Sequence, residues 1–259
     1  RQAKYAKSLF ENPVEVDIVP IKHINTDYAE YRPKLNAEEN IMYFTSKRPG
    51  GSSDILDDQG EYYEDIYVSK KKMGVWTEPQ LVNDLINTTE SSSCLYLSPD
   101  GEHMFLSMVN NDQKLGHLGR GIYEARLDGN HWNNPEFLDQ KVNSKYWETY
   151  ASLDIYGNVL FFVSDREGGY GGRDIWMIKK LPSGEWAEPQ NLGEPINTEY
   201  DEESPYLHPD GKTLYFSSKG HKVMGGFDIF KSILKDDYTW TSPENMGYPV
   251  NTVDDDLFF

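Results

Sequence analysis

An all-β fold, a β-propeller of four-stranded blades, is what the sequence predicts, on three observations. The motif Trp-x-x-Pro recurs at Trp76, Trp132, Trp186 and Trp240, spaced 56, 54 and 54 residues apart. A second motif, an aliphatic residue followed by Asn and then Thr or Ser, keeps the same step through Asn25, Asn87, Asn143, Asn197 and Asn251. Between these markers lie short apolar runs separated by turn residues, without sustained helical periodicity. Self-similarity at a fixed period, with four short strands in each period, is the signature of propeller blades.

The elements follow in order. Gln2 to Phe10 carries Ala3, Tyr5, Ala6, Leu9 and Phe10 and fits a short helix, so residues 1–11 read as a separate N-terminal segment, the end of a preceding helical repeat domain. Residues 12–259 read as the propeller, with units at about 25–86, 87–142, 143–196 and 197–250 and a partial unit at each end. In each unit an acid opens a first strand: Glu30, Glu90, Glu148 and Glu202, with Asp256 in the final fragment. A tight turn follows, Ser98-Pro99-Asp100-Gly101 or His208-Pro209-Asp210-Gly211, in which proline fixes φ, aspartate bonds the local backbone and glycine takes positive φ. An apolar second strand such as Leu160-Phe161-Phe162 comes next, then a loop, Gly-rich in most units, and a third strand opened by Asp65, Asp174 or Asp228. The fourth strand is expected to end near Trp-x-x-Pro. The insertion Ser52 to Gly60 and the segment Asn110 to Arg120 read as irregular surface loops. Asn12 to Ile24 matches a last strand and its exit, and Val253 to Phe259 a first strand. Paired, they would close a ring in one blade whose middle strands are missing. Five blades are therefore expected; six would need more missing chain.

Composition narrows the function classes. An aromatic share of 14% against a hydrophobic share of 37% suits short strands with aromatic packing and argues against disorder. The net charge of -18, from 43 acids and 25 bases, disfavours nucleic acid and anionic membrane surfaces, since the only basic cluster is Lys70-Lys71-Lys72. Solubility, cationic partners or metal ions remain as readings of that charge. Cys94 is the single cysteine, so no internal disulfide can form, and its place in the strand-like run Ser91 to Leu97 predicts a buried, inert thiol. No run of 18 apolar residues exists to span a membrane. Arg1-Gln2-Ala3-Lys4 has neither a starting Met nor a signal-peptide pattern, and reads as the start of a chain processed or excised from a longer one.

The order Ile-Asn-Thr, Glu-x-x-Pro, Pro-Asp-Gly, Leu-Tyr-Phe-Ser-Ser, Gly-Gly-x-Asp-Ile and Trp-x-x-Pro resembles the TolB-like (WD-like) propeller repeats of Bacteroidetes envelope proteins. The fullest copy runs from Ile196-Asn197-Thr198 through Glu202, Pro205, Pro209-Asp210-Gly211, Leu214 to Ser218 and Gly225 to Ile229. In that family the propeller commonly follows tetratricopeptide repeats and precedes an OmpA-type peptidoglycan-binding domain, and PorE-like members belong to the type IX secretion and gliding apparatus. The resemblance implies periplasmic residence at the inner face of the outer membrane, with other envelope proteins as partners. Peptidoglycan binding does not carry over, because no OmpA-type domain is in this sequence. The second unit departs from the pattern, with Gly121 in place of the aspartate before Ile122-Tyr123.

Chemistry-bearing residues are weighed against their structural uses. The opening acids Glu30, Glu90, Glu148, Glu202 and Asp256 would form a carboxylate ring at one mouth of a propeller channel, able to hold a cation or a cationic side chain. Repetition in every blade favours the alternative that each bonds backbone amides or a neighbouring Ser, Thr or Arg. Asp65, Asp174 and Asp228 are expected to cap loops, and the four repeat tryptophans to pack blade on blade. The histidines His23, His103, His117, His131, His208 and His221 show no metal-ligand spacing, and Arg48-Pro49-Gly50-Gly51 and Asp165 to Gly169 are turns rather than phosphate loops. No Gly-x-Ser-x-Gly elbow and no cofactor fingerprint occur. The expectation is a non-catalytic interaction module, with a glycan-binding or glycoside-active propeller as the alternative.

Overall fold

The protein's structure, a computed structural model, describes residues 2–53, 55–110 and 119–258. Most of the loop expected at Asn110 to Arg120, with His117, lies outside the described residues. The chain forms two compact units, Arg1–Ile18 with Tyr146–Phe259, and Val19–Lys145.

The described residues build four blades, each an antiparallel sheet whose main strands run in chain order, so the expected five or six is corrected to four. Blade 1 comprises Glu30–Leu35, Ile41–Ser46, Asp65–Lys72 and Gln80–Leu81; blade 2 comprises Ser92–Leu97, His103–Asn110, Gly119–Asp128 and Glu136–Phe137. Blade 3 comprises Glu148–Leu153, Val159–Ser164, Asp174–Lys179 and Gln190–Asn191; blade 4 comprises Glu202–Leu207, Thr213–Ser218, Asp228–Ile233 and Glu244–Asn245. Val75–Trp76 and His131–Trp132 add short ribbons to the third strands of blades 1 and 2. The helix spans Gln2–Glu11.

Two further expectations change. The fourth strand begins directly after Trp-x-x-Pro instead of ending there: Gln80, Glu136, Gln190 and Glu244 each follow the proline. Proline has no N–H for a ladder and is tolerated at a strand's entry. Residues 12–24 and 253–258 form no strands, and none of the described strands pairs with them. The terminal segment nevertheless follows the course of a first strand: Asp256 N–H donates to Phe227 O at 2.8 Å, as Glu202 N–H donates to Arg173 O at 2.7 Å.

Each second strand is the buried centre of its blade. Phe44, Phe105, Phe162 and Phe216 are all among the fully buried side chains. The first strands carry a bulge, between Tyr31 and Lys34, Cys94 and Tyr96, Thr149 and Ala151, and Glu203 and Tyr206. In three of them a non-glycine residue sits at positive φ: Arg32 at 54°, Tyr150 at 49° and Ser204 at 53°. That conformation costs about 1 kcal/mol or more and persists only where its surroundings impose it. Cys94 is fully buried, and burial pushes its thiol up to about 12.

Neighbouring blades in a unit join through their strands. In one unit Ser92 N–H donates to Glu64 O at 2.7 Å and Cys94 N–H to Thr45 Oγ1 at 3.1 Å. Trp132 of blade 2 packs edge-on against Tyr43 of blade 1 at 5.6 Å and donates Nε1–H to its hydroxyl at 3.3 Å. Trp132→Phe keeps the ring contact and removes the donor, so it is expected to lower unfolding free energy by about 1 kcal/mol, read from urea denaturation; an unchanged midpoint would mean the bond contributes nothing. In the other unit Ser152 Oγ–H donates to Pro205 O at 2.7 Å.

Candidate functional site

Each blade presents one end built from the turn before its first strand and the loop joining its second and third. Register places the residues: Glu148 pairs with Ser164 and Ser164 with Asp174; Glu202 pairs with Ser218 and Ser218 with Asp228.

The opening acids are held by their own blade. Glu30 accepts from Thr26 N–H (2.9 Å), Thr26 Oγ1 (2.7 Å), Ser46 Oγ (3.0 Å) and Arg48 (3.1 Å). Glu148 accepts from Ser164 Oγ at 2.9 Å and from Arg166 at 3.0 Å. Glu202 accepts from Thr198 N–H (2.8 Å), Thr198 Oγ1 (2.7 Å) and Ser218 Oγ (2.7 Å). Asp256 accepts from Thr252 N–H at 2.5 Å, and burial raises its carboxyl. Glu90 does not share this position. It is exposed, and Ser92 pairs with Met108 where the other blades pair acid with serine. Counting five residues from Asn87 leads to Ser92, the signal that identifies the true register. Among the described residues no three His, Cys, Asp or Glu side chains gather closely enough to hold a metal ion.

The third-strand aspartates tie down the adjoining loop. Asp65 accepts from Ser52 N–H at 2.9 Å and Ser52 Oγ at 2.6 Å. Asp174 accepts from Tyr170 N–H at 2.5 Å and Asn191 at 2.9 Å, and Asp228 from Met224 N–H at 2.5 Å and Asn245 at 2.7 Å. The backbone approaches these carboxylates so closely that a Cβ on Gly169 would lie 2.2 Å from Asp174. Burial raises the carboxyls of Asp65 and Asp174.

Trp76, Trp186 and Trp240 are half-buried beside their turns, with Lys71 5.3 Å above the ring of Trp76 and Lys180 5.6 Å above that of Trp186. Trp240 joins the core of its unit.

Two sets of residues escaped the sequence reading. The repeat asparagines, used there only as markers, are buried staples. Asn197 Oδ1 accepts Ile175 N–H at 2.9 Å, while its amide donates to Ile175 O at 2.9 Å and Asn191 Oδ1 at 2.8 Å. Asn87 does the same at Ile66, Asn143 at Ile122 and Asn251 at Ile229. Arg48 and Arg166 lie two residues beyond the serines Ser46 and Ser164, a Ser-x-Arg spacing visible in the sequence. Arg48 lies over Phe44 (5.2 Å) and Tyr67 (4.9 Å) and donates to Ile24 O at 2.7 Å. In blade 4, His221 fills that place, against Phe216 (5.9 Å) and Phe230 (5.1 Å), donating Nε2–H to Ile196 O at 3.0 Å. Burial lowers the His221 pKa, which favours the neutral ring. His221 also borders an open pocket of about 370 Å³ with Tyr5, Pro195, Phe230 and Pro243.

Large aromatic side chains stand exposed at this end. Trp147, Tyr170 and Tyr200, each 53% exposed, stand at the same end of blades 3 and 4 among Asp165, Glu167 and Glu199. In the other unit Tyr28 stands at that end of blade 1, its ring 6.0 Å from Tyr62.

Fold and residues together define a propeller-blade repeat protein whose repeating carboxylates and amides bind the blades internally. No protein-family model matches the chain, and no curated protein matches it. Among solved structures the chain is similar to TolB from Acinetobacter baumannii, at 14% identity and TM-score 0.49, covering 83% of this chain and 43% of that one. It is similar to a protein described as TolB from Agrobacterium tumefaciens, at 14% identity and TM-score 0.48, covering 85% and 81%. It is also similar to the α-L-arabinofuranosidase of Fusarium graminearum solved with arabinobiose, at 12% identity and TM-score 0.47, covering 86% and 68%. The chain thus spans less than half the length of the first of these structures, and likeness at this level carries no argument about activity. No helix among the described residues is long and apolar enough to cross a membrane.

Proposed function

We propose that this chain is a non-catalytic protein-interaction module, a scaffold propeller in a periplasmic complex at the inner face of the outer membrane, of the type IX secretion or gliding kind. The observation that carries the reading is the exposed aromatic set Trp147, Tyr170 and Tyr200 on one end of two adjacent blades. Aromatic side chains supply most binding energy at protein interfaces, and the acids around them suit a partner with a basic rim. The repeating carboxylates support the same reading, since their bonds to turns, serines and arginines leave them structural work rather than acid–base chemistry. Exposed aromatics also stack on sugars, so a glycan-binding propeller is the second reading.

The test replaces Trp147, Tyr170 and Tyr200 together with alanine and compares this variant with the wild type as bait in a Bacteroidetes envelope extract. A stoichiometric partner, quantified by mass spectrometry, is expected to fall at least about ten-fold with the folded variant, the scale of losing an interface hot spot. Equal recovery with both baits would sink the proposed surface. Glycan-array binding lost in the same variant would hand it to the second reading.

A further inference from the structure

The sequence holds one basic cluster, Lys70-Lys71-Lys72, and the interaction surface proposed above does not use it. The cluster leads into the hairpin that follows the third strand of blade 1. That strand outruns its neighbour: the pairing with the second strand ends where Ile41 meets Lys70, and Lys71 N–H donates to Asn40 O at 2.7 Å. Beyond that point the chain pairs only with itself, Lys71 with Trp76 and Lys72 with Val75, and turns at Met73-Gly74. The ribbon stands out from the sheet by roughly 10 Å, three residues at the rise of a strand.

Its tip is unlike those of the other blades. The equivalent turns there are Asp128-Gly129-Asn130, Pro182-Ser183-Gly184 and Asp236-Asp237-Tyr238, none with a cation. In blade 1 Met73 is fully exposed, Val75 is 61% exposed, and Lys70, Lys71 and Lys72 are exposed beside them. Met73 has φ 49° and Gly74 φ 81°, the two positive values of a type I′ hairpin turn. Asparagine or aspartate is favoured at the first of these positions, and methionine is strained there. Neither the strain nor the exposure serves the fold, since a side chain so exposed buries nothing. Among the described residues no carboxylate lies within ion-pair distance of the three ammonium groups. Glu38, on the adjoining turn, accepts from Asn40 Nδ2 at 2.7 Å, and Glu78 pairs with His23 at 2.6 Å.

We propose that the ribbon Lys70–Trp76 is a membrane-surface anchor whose ligand is an anionic phospholipid surface. Its side chains are sorted by depth. Met73 and Val75 are at the tip, with the three lysines from Lys72 back to Lys70 behind them. Trp76 is level with Lys71, whose ammonium lies 5.3 Å above the ring. An apolar tip with a collar of tryptophan and lysine follows the order of a bilayer interface. There apolar groups enter the acyl boundary, tryptophan sits at the headgroups, and lysine lays its stem on the apolar layer while its charge reaches phosphate. A protein groove suits the collar less, because lysine is depleted at protein interfaces. The net charge of -18 does not oppose the contact, since exposed charges more than about 8 Å apart are largely screened at physiological salt. The ribbon belongs to the unit Val19–Lys145 and shares no residue with the aromatic set Trp147, Tyr170 and Tyr200, so either proposal can fail alone.

The experiment sediments the full chain with sucrose-loaded vesicles of phosphatidylcholine containing about one-third phosphatidylglycerol, in about 0.1 M salt. Half of the protein is expected to sediment at on the order of 1 mM lipid, from three lysine attractions and two apolar side chains. Pure phosphatidylcholine should hold it about a hundred-fold less tightly, a loss of roughly five-fold for each lysine. Met73→Asn suits the turn, so its urea midpoint should equal or exceed that of the wild type. It should nevertheless bind the anionic vesicles about ten-fold more weakly, having lost the burial of one methionine. Lys70, Lys71 and Lys72 changed together to glutamine should abolish sedimentation. Hydrogen exchange on the vesicle-bound protein is expected to slow within residues 71–76. No sedimentation at about 5 mM anionic lipid, well beyond the expected midpoint, would overturn the proposal. So would equal binding to neutral vesicles, undiminished binding by Met73→Asn, or protection confined to other residues.

Discussion

Replacing Asn197 with alanine is expected to destabilise the protein by about 3 kcal/mol, and Asn25 to alanine by less than about 0.5 kcal/mol. The residues occupy the same place in the repeat, so propensity and side-chain size cancel in the comparison. Asn197 is 1% exposed and makes three bonds at 2.8–2.9 Å, two of them to the backbone of Ile175. Truncation removes the acceptor for a buried N–H and opens a small void; each unsatisfied buried group costs about 1–3 kcal/mol. Asn25 makes its single side-chain bond at the surface, where water replaces it. Urea denaturation of both variants measures the contrast. Equal effects would show that the asparagine acts through the turn's own conformation and not as a staple.

Glu202→Gln is expected to flatten the pH dependence of stability between pH 5 and pH 8, across which the wild type should lose about 3 kcal/mol relative to the variant. The Glu202 carboxyl is fully buried, and in blade 4 its hydrogen-bond partners are Thr198 and Ser218, without the arginine that Glu30 and Glu148 each receive. Burial pushes its pKa up to about 7, against bonds from Thr198 and Ser218 that pull it down. A carboxyl whose folded pKa lies above its unfolded value binds its proton more tightly when folded. The stability it contributes is therefore whole below the unfolded value and is lost as pH rises through about 7. Glutamine keeps an acceptor for Thr198 N–H and cannot ionise. Melting curves across that pH range decide the matter: parallel profiles for wild type and variant would show that the carboxyl stays protonated or stays solvated throughout.

The period, the strand order within a blade and the tight turns were legible in the sequence, because each depends on local chemistry: Pro-Asp-Gly for the turn, alternating apolar runs for the strands. The blade count was not. Asn12 to Ile24 and Val253 to Phe258 carry the residues of strands, yet a strand exists only when another pairs with it, and none of the described strands does. The candidate acids were legible at Glu30, Glu148, Glu202 and Asp256, where one spacing from the asparagine holds. Glu90 misled because acidity was read ahead of register. The staples were hidden for a different reason: what Asn197 binds is a backbone 22 residues away, and no side chain in the sequence names it.

The asparagine–threonine turns carry a mechanical consequence. In the unit that holds blades 3 and 4, the turns at Asn197 and Asn251 each grip the third strand behind through Asn and the segment ahead through Thr and the acid, so consecutive repeats are buttoned together over about six residues. Tension applied along the chain would be borne at these buttons, and they should give way one at a time. A molecule tethered in an optical trap would then lengthen in steps of about one repeat, some 54 residues of released chain at roughly 3.5 Å each.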